Sequence, residues 1–568
     1  MELKYEVESR EIDMTDFGGK PKIAYFSMEI GIDEYLPTYS GGLGILAGDT
    51  LKSCADLNIP VVGVTLLSEH GYFYQKIDSN GNQQELPVNF SVPDFLTLLP
   101  STTKVTIDTR DIKLRAWLYQ FEGVNDYSIP IIFLDSNIEG NNDWDRSLTQ
   151  HLYGGDNPYR LAQEIILGIG GVRMLQNMGY DSIDRYHMNE GHAALSTLEL
   201  FRQLKDVDMV RKQCVFTTHT PVPAGHDQFD LSYAKPMIGD LLPDEVLKDV
   251  SIDGKLNMTH LALHFSHYVN GVAKKHGEVS RSMFPGYAID SITNGVHSPT
   301  WVSDALKDLY DKHMPFWRSD PFVLRSAFNI DKNEIWDAHI KAKKHLIDFV
   351  NERYNAGMTY ENFTIGFARR QTSYKRPHLL ISDYQRLQKI AERLGPIQII
   401  YSGKAHPHDT VGKETIKHIF NTMKGNNEHV KITFINNYNM IIGKMMTSGV
   451  DIWLNTPKRP LEASGTSGMK AAHNGVPQFG TLDGWWLEGC IENITGWSIG
   501  PITTGEGQSD DEVDKEDLYN KLEKVILPKY YKDQDQWRTI MRNCIAINGS
   551  FFNTNRMVQQ YVLNAYFM

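Results

Sequence analysis

The C-terminal half of the chain carries four short runs that are apolar on both faces, at Phe363–Ala368, Ile397–Tyr401, Val430–Ile435 and Val450–Leu454. Helix-like segments such as His378–Leu394 and Thr410–Lys424 separate them. A strand with one solvated face alternates polar and apolar residues, whereas a strand apolar throughout must be covered on both sides. Helices between such strands indicate a parallel sheet with a helix layer on each face, a doubly wound α/β domain. The N-terminal half keeps the same rhythm with insertions. Ile23–Ser27 reads as a strand, followed by a glycine-rich turn, a helix from about Ile45 to Leu57 and the strand Val61–Leu66. Lys104–Phe121 alternates like an antiparallel ribbon. Ile131–Leu134, a helix around Arg160–Met178, Tyr186–Asn189 and Val215–Thr218 then resume the β/α order.

A chain of 568 residues exceeds a single ordinary core. The two halves meet near Thr293-Asn294-Gly295-Val296, which divides the chain into 1–294 and 295–568. A helical stretch over roughly Asp304–Tyr354 leads into the second sheet, and the last helix is a candidate to cross back to the first. The formal net charge of -13 argues against a nucleic-acid partner. Cys54, Cys214, Cys490 and Cys544 lie far apart, so neither a disulfide framework nor a zinc site is indicated, and no metal is assigned. The first residues, Met1 to Glu8, lack the layout of a signal peptide, and no apolar run has the length of a membrane helix. The cytoplasm is therefore the expected location. The acidic segment Glu506–Glu516 reads as a solvated loop.

Ligands of doubly wound sheets sit beyond the carboxyl ends of the strands, so the loops leaving strands hold the candidate residues. Ser40-Gly41-Gly42-Leu43-Gly44 lies between a strand and a helix, where a tight turn and an anion-binding helix start fit equally. Arg369, Arg370, Lys375 and Arg376 follow Phe363–Ala368. Their position at a strand end in an acidic chain favours an anion site over a solvated basic turn. His219 follows another strand, and Glu190 and His192 lie in Asn189-Glu190-Gly191-His192; each alone fits a structural role. In Glu462–Lys470 the small residues Ser464-Gly465-Thr466-Ser467-Gly468 open a helix and could cradle a phosphate. Lys470 then stands on an otherwise apolar helix. By chemistry alone it is either a Schiff-base former or a surface lysine on the first turn.

These motifs, in this order over nearly the whole chain, resemble the glycogen/starch/maltodextrin phosphorylase family. The most specific element is Glu-Ala-Ser-Gly-Thr-x-x-Met-Lys at 462–470, with Gly480-Thr481-Leu482-Asp483-Gly484 beyond it. Tyr153-Gly154-Gly155-Asp156 and Asn455–Leu461 resemble the short branch of that family. The resemblance implies two Rossmann-like domains facing a cleft, the GT-B arrangement. It implies reversible phosphorolysis of terminal α-1,4-glucosyl units of a glucan to glucose 1-phosphate with retention, and pyridoxal phosphate held by Lys470 as a Schiff base. Gly465, Thr466, Ser467, Arg369 and Tyr438 would complete the cofactor site. Arg370 and Lys375, with the backbone of Gly42, would bind inorganic phosphate. Asn294, Glu462, Ser464 and His219 would hold the glucosyl unit. In this reading the cofactor phosphate relays a proton to the substrate phosphate, and Lys470, Arg370, Lys375 and His219 form the catalytic set.

Four residues at three places depart from the family pattern. Arg369 replaces a lysine, Asn439 an arginine, and Ser467-Gly468 the usual Gly-Asn. No regulatory extension is legible, so allosteric control is not expected, and homo-oligomerisation stays open. The alternatives are a nucleotide-sugar-dependent glycogen or starch synthase-like enzyme, which needs no pyridoxal phosphate, and a catalytically silent glucan-binding protein.

Overall fold

A computed structural model describes residues 20–501 and 510–567. The first eight residues and Glu506–Ser509 of the acidic segment lie outside the described residues.

Two large sheets organise the chain. The first runs, edge to edge, Asp290–Ser291, Tyr268–Gly271, Cys214–Thr217, Arg185–Asn189, Ile23–Ser27, Val61–Leu66, Ser128–Asp135, Arg110–Glu122 and Thr97–Ile107. Its pairs are parallel up to Ser128–Asp135, where the hairpin of Arg110–Glu122 and Thr97–Ile107 joins antiparallel. The ribbon expected near Lys104–Phe121 is thus an extension of this sheet's edge. The second sheet is wholly parallel, in the order Val430–Ile435, Ile397–Ser402, Phe363–Ala368, Ile452–Asn455, Gln478–Thr481 and Gly496–Ile499.

Both faces of each sheet are buried, as the unbroken apolar runs require. Along Ile23–Ser27, Ala24 and Phe26 belong to one core cluster and Ile23 and Tyr25 to another. In the second sheet Phe363, Ile365 and Phe367 face one core, while Ala368, Ile400 and Ile435 face the other. A further cluster joins Ile45 from the N-terminal half to Met440, Met469, Trp485 and Phe552 from the C-terminal half. The last helix, Thr554–Tyr561, and the turn after it place Met557, Val558, Tyr561, Ala565 and Tyr566 in a core of the first sheet. Ser53 Oγ meets Thr554 Oγ1 at 2.6 Å, and the Tyr561 hydroxyl accepts from Asn270 Nδ2 at 3.0 Å.

The strand order reverses once in each sheet. From Ile23–Ser27 the chain builds outward through Val61–Leu66, then returns to the other side with Arg185–Asn189. From Phe363–Ala368 it builds through Ile397–Ser402, then returns with Ile452–Asn455. At such a point the loops leaving neighbouring strands diverge and open a crevice at the carboxyl ends. The loops there carry Ser40–Gly44 and Asn189–His192 in the first sheet, and Arg369–Arg376 and the segment after Asn455 in the second.

The acidic segment is not a solvated loop from Asp510 onward. Asp510 caps a helix over Asp511–Lys521 by accepting from Glu512 N–H and Val513 N–H. Asp514 on that helix is fully buried and pairs with Arg376 Nη2 at 2.7 Å and with Arg459 Nη2 at 3.4 Å. A carboxylate placed between two buried guanidiniums outweighs the local polarity that suggested a loop. The stretch Asp304–Tyr354 is also interrupted, as helices Asp304–His313 and Lys332–Tyr354 flank a tighter segment at Pro321–Asn329. No helix among the described residues is long and apolar enough to cross a membrane.

Candidate active site

The glycine loop starts a helix of 15 residues, Gly42–Asp56, with no side-chain cap at Gly41. Glu29 satisfies the turn before it, accepting from the amides of Ser40 and Gly41 and from the Tyr153 hydroxyl at 2.8 Å. Gly42 is exposed, and a Cβ there would meet no atom within 4 Å. A Cβ on Gly41 would instead stand 3.1 Å from Arg370 Nη2. The basic loop of the second sheet therefore reaches the open helix start of the first. An uncapped N-terminus carries partial positive charge, and a guanidinium beside it adds a full one, so the pair suits an anion.

The other three cations of that loop have separate fates. Arg376 turns into the protein, where it is 1% exposed and pairs with Asp511 and Asp514. Arg369 and Lys375 converge on one carboxylate: Glu462 Oε2 lies 2.8 Å from Arg369 Nη2 and 2.5 Å from Lys375 Nζ. Arg369 also donates to Asn455 Oδ1, which joins the two loops of the crevice. Burial disfavours charge on Glu462, but Arg369 and Lys375 outweigh it and hold the carboxyl below its ordinary range. The Glu462 amide donates to Asp483 Oδ2 at 2.8 Å. Burial, with Glu462 adding repulsion, pushes Asp483 up to about 7.

Beyond Glu462 the chain turns through Gly465 at φ +83°, a left-handed conformation that favours glycine. The helix Ser467–His473 follows. Lys470 is 5% exposed, which excludes the surface-lysine alternative. Its Nζ lies 3.4 Å from the centroid of the Trp301 ring and makes no hydrogen bond among the described residues. Burial pulls this ammonium down to about 8, against the opposing attraction of Asp49. Ser467 Oγ accepts from Trp453 Nε1 at 3.1 Å, which fixes that hydroxyl beside the helix start. Thr466 immediately precedes it. Tyr438 lies in the loop before the helix Met440–Gly449, and burial, opposed by Arg369, raises its hydroxyl to about 12. Asn439 caps that helix, accepting from Ile442 N–H at 2.9 Å, a local use for the residue that departs from the family pattern.

His219 and Asn294 are held from the first sheet and by the C-terminal helix. His219 donates its amide to Glu190 Oε2 at 2.7 Å, and its Nε2 meets Asn189 Oδ1 at 2.6 Å. Burial pulls its ring down to about 3, so it is neutral at physiological pH. Arg556 of the last helix donates to the carbonyl of Asn294 at 2.9 Å. Asn294 Oδ1 and Ser464 Oγ are both buried without a hydrogen-bond partner among the described residues. A buried polar atom left unpaired costs about 1–3 kcal/mol, so each of these is available to a ligand hydroxyl. No hydrogen bond or ion pair among the described residues joins His219 or Asn294 to Arg369, Arg370, Lys375, Glu462 or Lys470.

Residue patterns gave no notice of Glu29, Asp49 or Trp301, and named Asp483 only as part of the motif Gly480–Gly484. Packing between the two halves brings Asp49 to Trp301, whose ring lies against Lys470. The signal that existed was a charged residue on the apolar face of the glycine-loop helix, which is visible only once that face is known.

A family model for carbohydrate phosphorylase matches residues 239–494. The maltodextrin phosphorylase of Thermococcus litoralis is 38% identical over an alignment covering 95% of this chain and 70% of that protein. The glycogen phosphorylase of Aquifex aeolicus is 34% identical, covering 96% of this chain and 86% of its own length. The glycogen phosphorylase of Mycobacterium tuberculosis is 35% identical, covering 96% and 70%. Identity at this level across nearly the whole chain places the chain in the carbohydrate phosphorylase family.

Proposed function

We propose that this protein is an α-glucan phosphorylase, which transfers a terminal α-1,4-glucosyl unit of a glycogen- or maltodextrin-like glucan to inorganic phosphate and releases glucose 1-phosphate with retained configuration. The observation that carries the reading is the approach of Arg370 to Gly41 at the uncapped start of helix Gly42–Asp56. It supplies an anion site between the two sheets, which are then read as two Rossmann-like domains facing a cleft. Arg370 and the Gly42 backbone would receive the substrate phosphate. Lys375 and Arg369 would share it with Glu462, the carboxylate that both already contact. Asn294, Ser464, Glu462 and His219 would orient the glucosyl hydroxyls, the first two through atoms that have no other partner among the described residues.

The residues around Lys470 fit pyridoxal phosphate. The amine is buried, weakly basic and free of hydrogen bonds among the described residues, the Trp301 ring lies against it, and Gly465, Thr466 and Ser467 stand at the helix start, with Tyr438 facing Arg369. When bound, the cofactor would supply a phosphate group that acts as an acid–base partner beside the substrate phosphate. Two phosphates at short range repel strongly in a low dielectric, so Arg369, Arg370 and Lys375 make sense as their shared counter-charge.

The test is incubation of the purified protein with maltodextrin and inorganic phosphate. Glucose 1-phosphate is expected, together with a pyridoxal chromophore that borohydride fixes to Lys470. Full activity without the chromophore, or a cofactor-loaded protein that forms no glucose 1-phosphate, overturns the reading.

A further inference from the structure

The turn Leu482–Gly484 leaves the carboxyl end of the strand Gln478–Thr481, on the crevice side of the second sheet. Asp483 in that turn is 2% exposed and makes no ion pair among the described residues. Both of its carboxylate oxygens go to backbone amides. Oδ1 accepts from Gly484 N–H at 2.9 Å, which closes the turn itself. Oδ2 accepts from Glu462 N–H at 2.8 Å and so reaches a segment 21 residues earlier. The turn grips that segment a second time, as Trp485 N–H donates to the Ser464 carbonyl at 2.9 Å. Gly484, at φ +54°, allows the close approach, because a Cβ there would stand 2.4 Å from the Ser464 carbonyl oxygen.

The gripped segment carries the groups that matter to the crevice. The Glu462 carboxylate is where Arg369 Nη2 and Lys375 Nζ meet, and Ser464 Oγ is buried without a partner among the described residues. A turn cap needs one acceptor, which Ser, Thr or Asn supplies without placing a charge in the interior. A carboxylate differs in accepting on both oxygens at once. Burial, with repulsion from Glu462, works against the charge of Asp483, and Lys375 only partly opposes this. Arg369 is already shared between Glu462 and Asn455. The second oxygen of Asp483 is therefore spent on the Glu462 backbone rather than on a cation.

We infer that Asp483 is a positioning residue for the phosphorolysis: its carboxylate fixes the Glu462 backbone, and Glu462 in turn fixes where Lys375 and Arg369 stand beside the substrate. The inference rests on the proposed function and adds a residue to it. Influence runs from Asp483 to the Glu462 amide, then through the Glu462 side chain to the two cations. Removing the Glu462 side chain uncouples the cations from Asp483.

The test is a double-mutant cycle in the cofactor-loaded full chain. Asp483→Asn keeps the shape and one acceptor oxygen but sets an NH2 group against the second amide. It is expected to lower kcat/KM for phosphate about tenfold or more in the parent, and less than about threefold in a Glu462→Ala background, because residues that act through one another are non-additive. An equal factor in both backgrounds overturns the inference and leaves Asp483 as the cap of its own turn. Should Asp483→Asn fail to fold, Asp483→Ser gives the same comparison with the same expected sign. If the parent forms no glucose 1-phosphate, the proposed function fails separately. The rate at which an amine-reactive reagent labels Lys375, read by peptide mass spectrometry, then decides on Asp483. Faster labelling in Asp483→Asn than in the parent, with equal rates in Glu462→Ala and the double variant, supports the coupling; an unchanged rate in Asp483→Asn overturns it.

Discussion

Arg370 and Lys375 are five residues apart, yet they occupy different electrostatic situations. Lys375 is buried and tied to Glu462, whereas Arg370 is exposed and has no ion pair among the described residues. Arg370→Ala should therefore raise the KM for phosphate about tenfold or more while leaving the KM for maltodextrin nearly unchanged, since a charge-assisted hydrogen bond contributes roughly 1.5–3 kcal/mol. Its unfolding free energy should stay within about 0.5 kcal/mol of the parent, as for other surface substitutions. Initial-rate kinetics against each substrate and a denaturant titration check both halves of the claim. Asp483 makes a pH prediction. Its folded pKa of about 7 stands above the ordinary 3.8, because burial and Glu462 disfavour its charge. The protonated carboxyl therefore favours the folded state fully below the unfolded pKa, and this contribution is lost as pH rises through about 7. Asp483→Asn has no such proton to lose, so its melting temperature should fall less than the parent's between about pH 5 and about pH 8.

The helix Asp511–Lys521 is a case of an element set by tertiary charge. Its sequence is strongly polar, but Asp514 is fully buried between Arg376 and Arg459 and tethers the helix to the loop that carries Lys375. Asp514→Ala leaves two buried guanidiniums without this partner and should cost about 3–5 kcal/mol in a denaturant titration. Loss of phosphate affinity should follow, because Arg376 anchors the turn in which Lys375 sits. A stability change under about 1 kcal/mol would show that Asp511 alone suffices. Strands were the most legible elements. Ile23–Ser27, Val61–Leu66, Phe363–Ala368 and Val430–Ile435 appear where unbroken apolar runs required them. Gln478–Thr481 and Gly496–Ile499 were not legible, since four-residue strands rich in Gly, Thr, Ser and Gln carry too little hydrophobic signal.

At the scale of the molecule, the last helix belongs to the core of the first sheet although it follows the second. Removal of the chain from Thr554 onward strips Met557, Val558, Tyr561, Ala565 and Tyr566 from that core and breaks the contacts to Ser53 and Asn270. At about 1.5–3 kcal/mol for each large buried apolar side chain, the loss rivals the roughly 5–15 kcal/mol that stabilises a typical domain. The truncated chain should therefore fail to give a cooperative thermal transition and should collect in the insoluble fraction. A soluble truncated chain with the parent's melting temperature would show that the first sheet is stable without it.

The sequence by itself determined the α/β class, most strands of both sheets, the loops at their carboxyl ends and the family. These depend on local quantities: apolar runs that must be covered, glycine at turns, and an ordered set of motifs. Tertiary structure decided what each charge faces. It sent Arg376 inward to Asp514, joined Arg369 and Lys375 at Glu462, brought Arg370 to Gly41, and set Trp301, which donates to Asp49, against Lys470. The physical reason is range and environment. Hydrophobic periodicity is written along a single segment, but the state of a buried charge depends on partners contributed by residues hundreds of positions away, and on the water that packing removes between them.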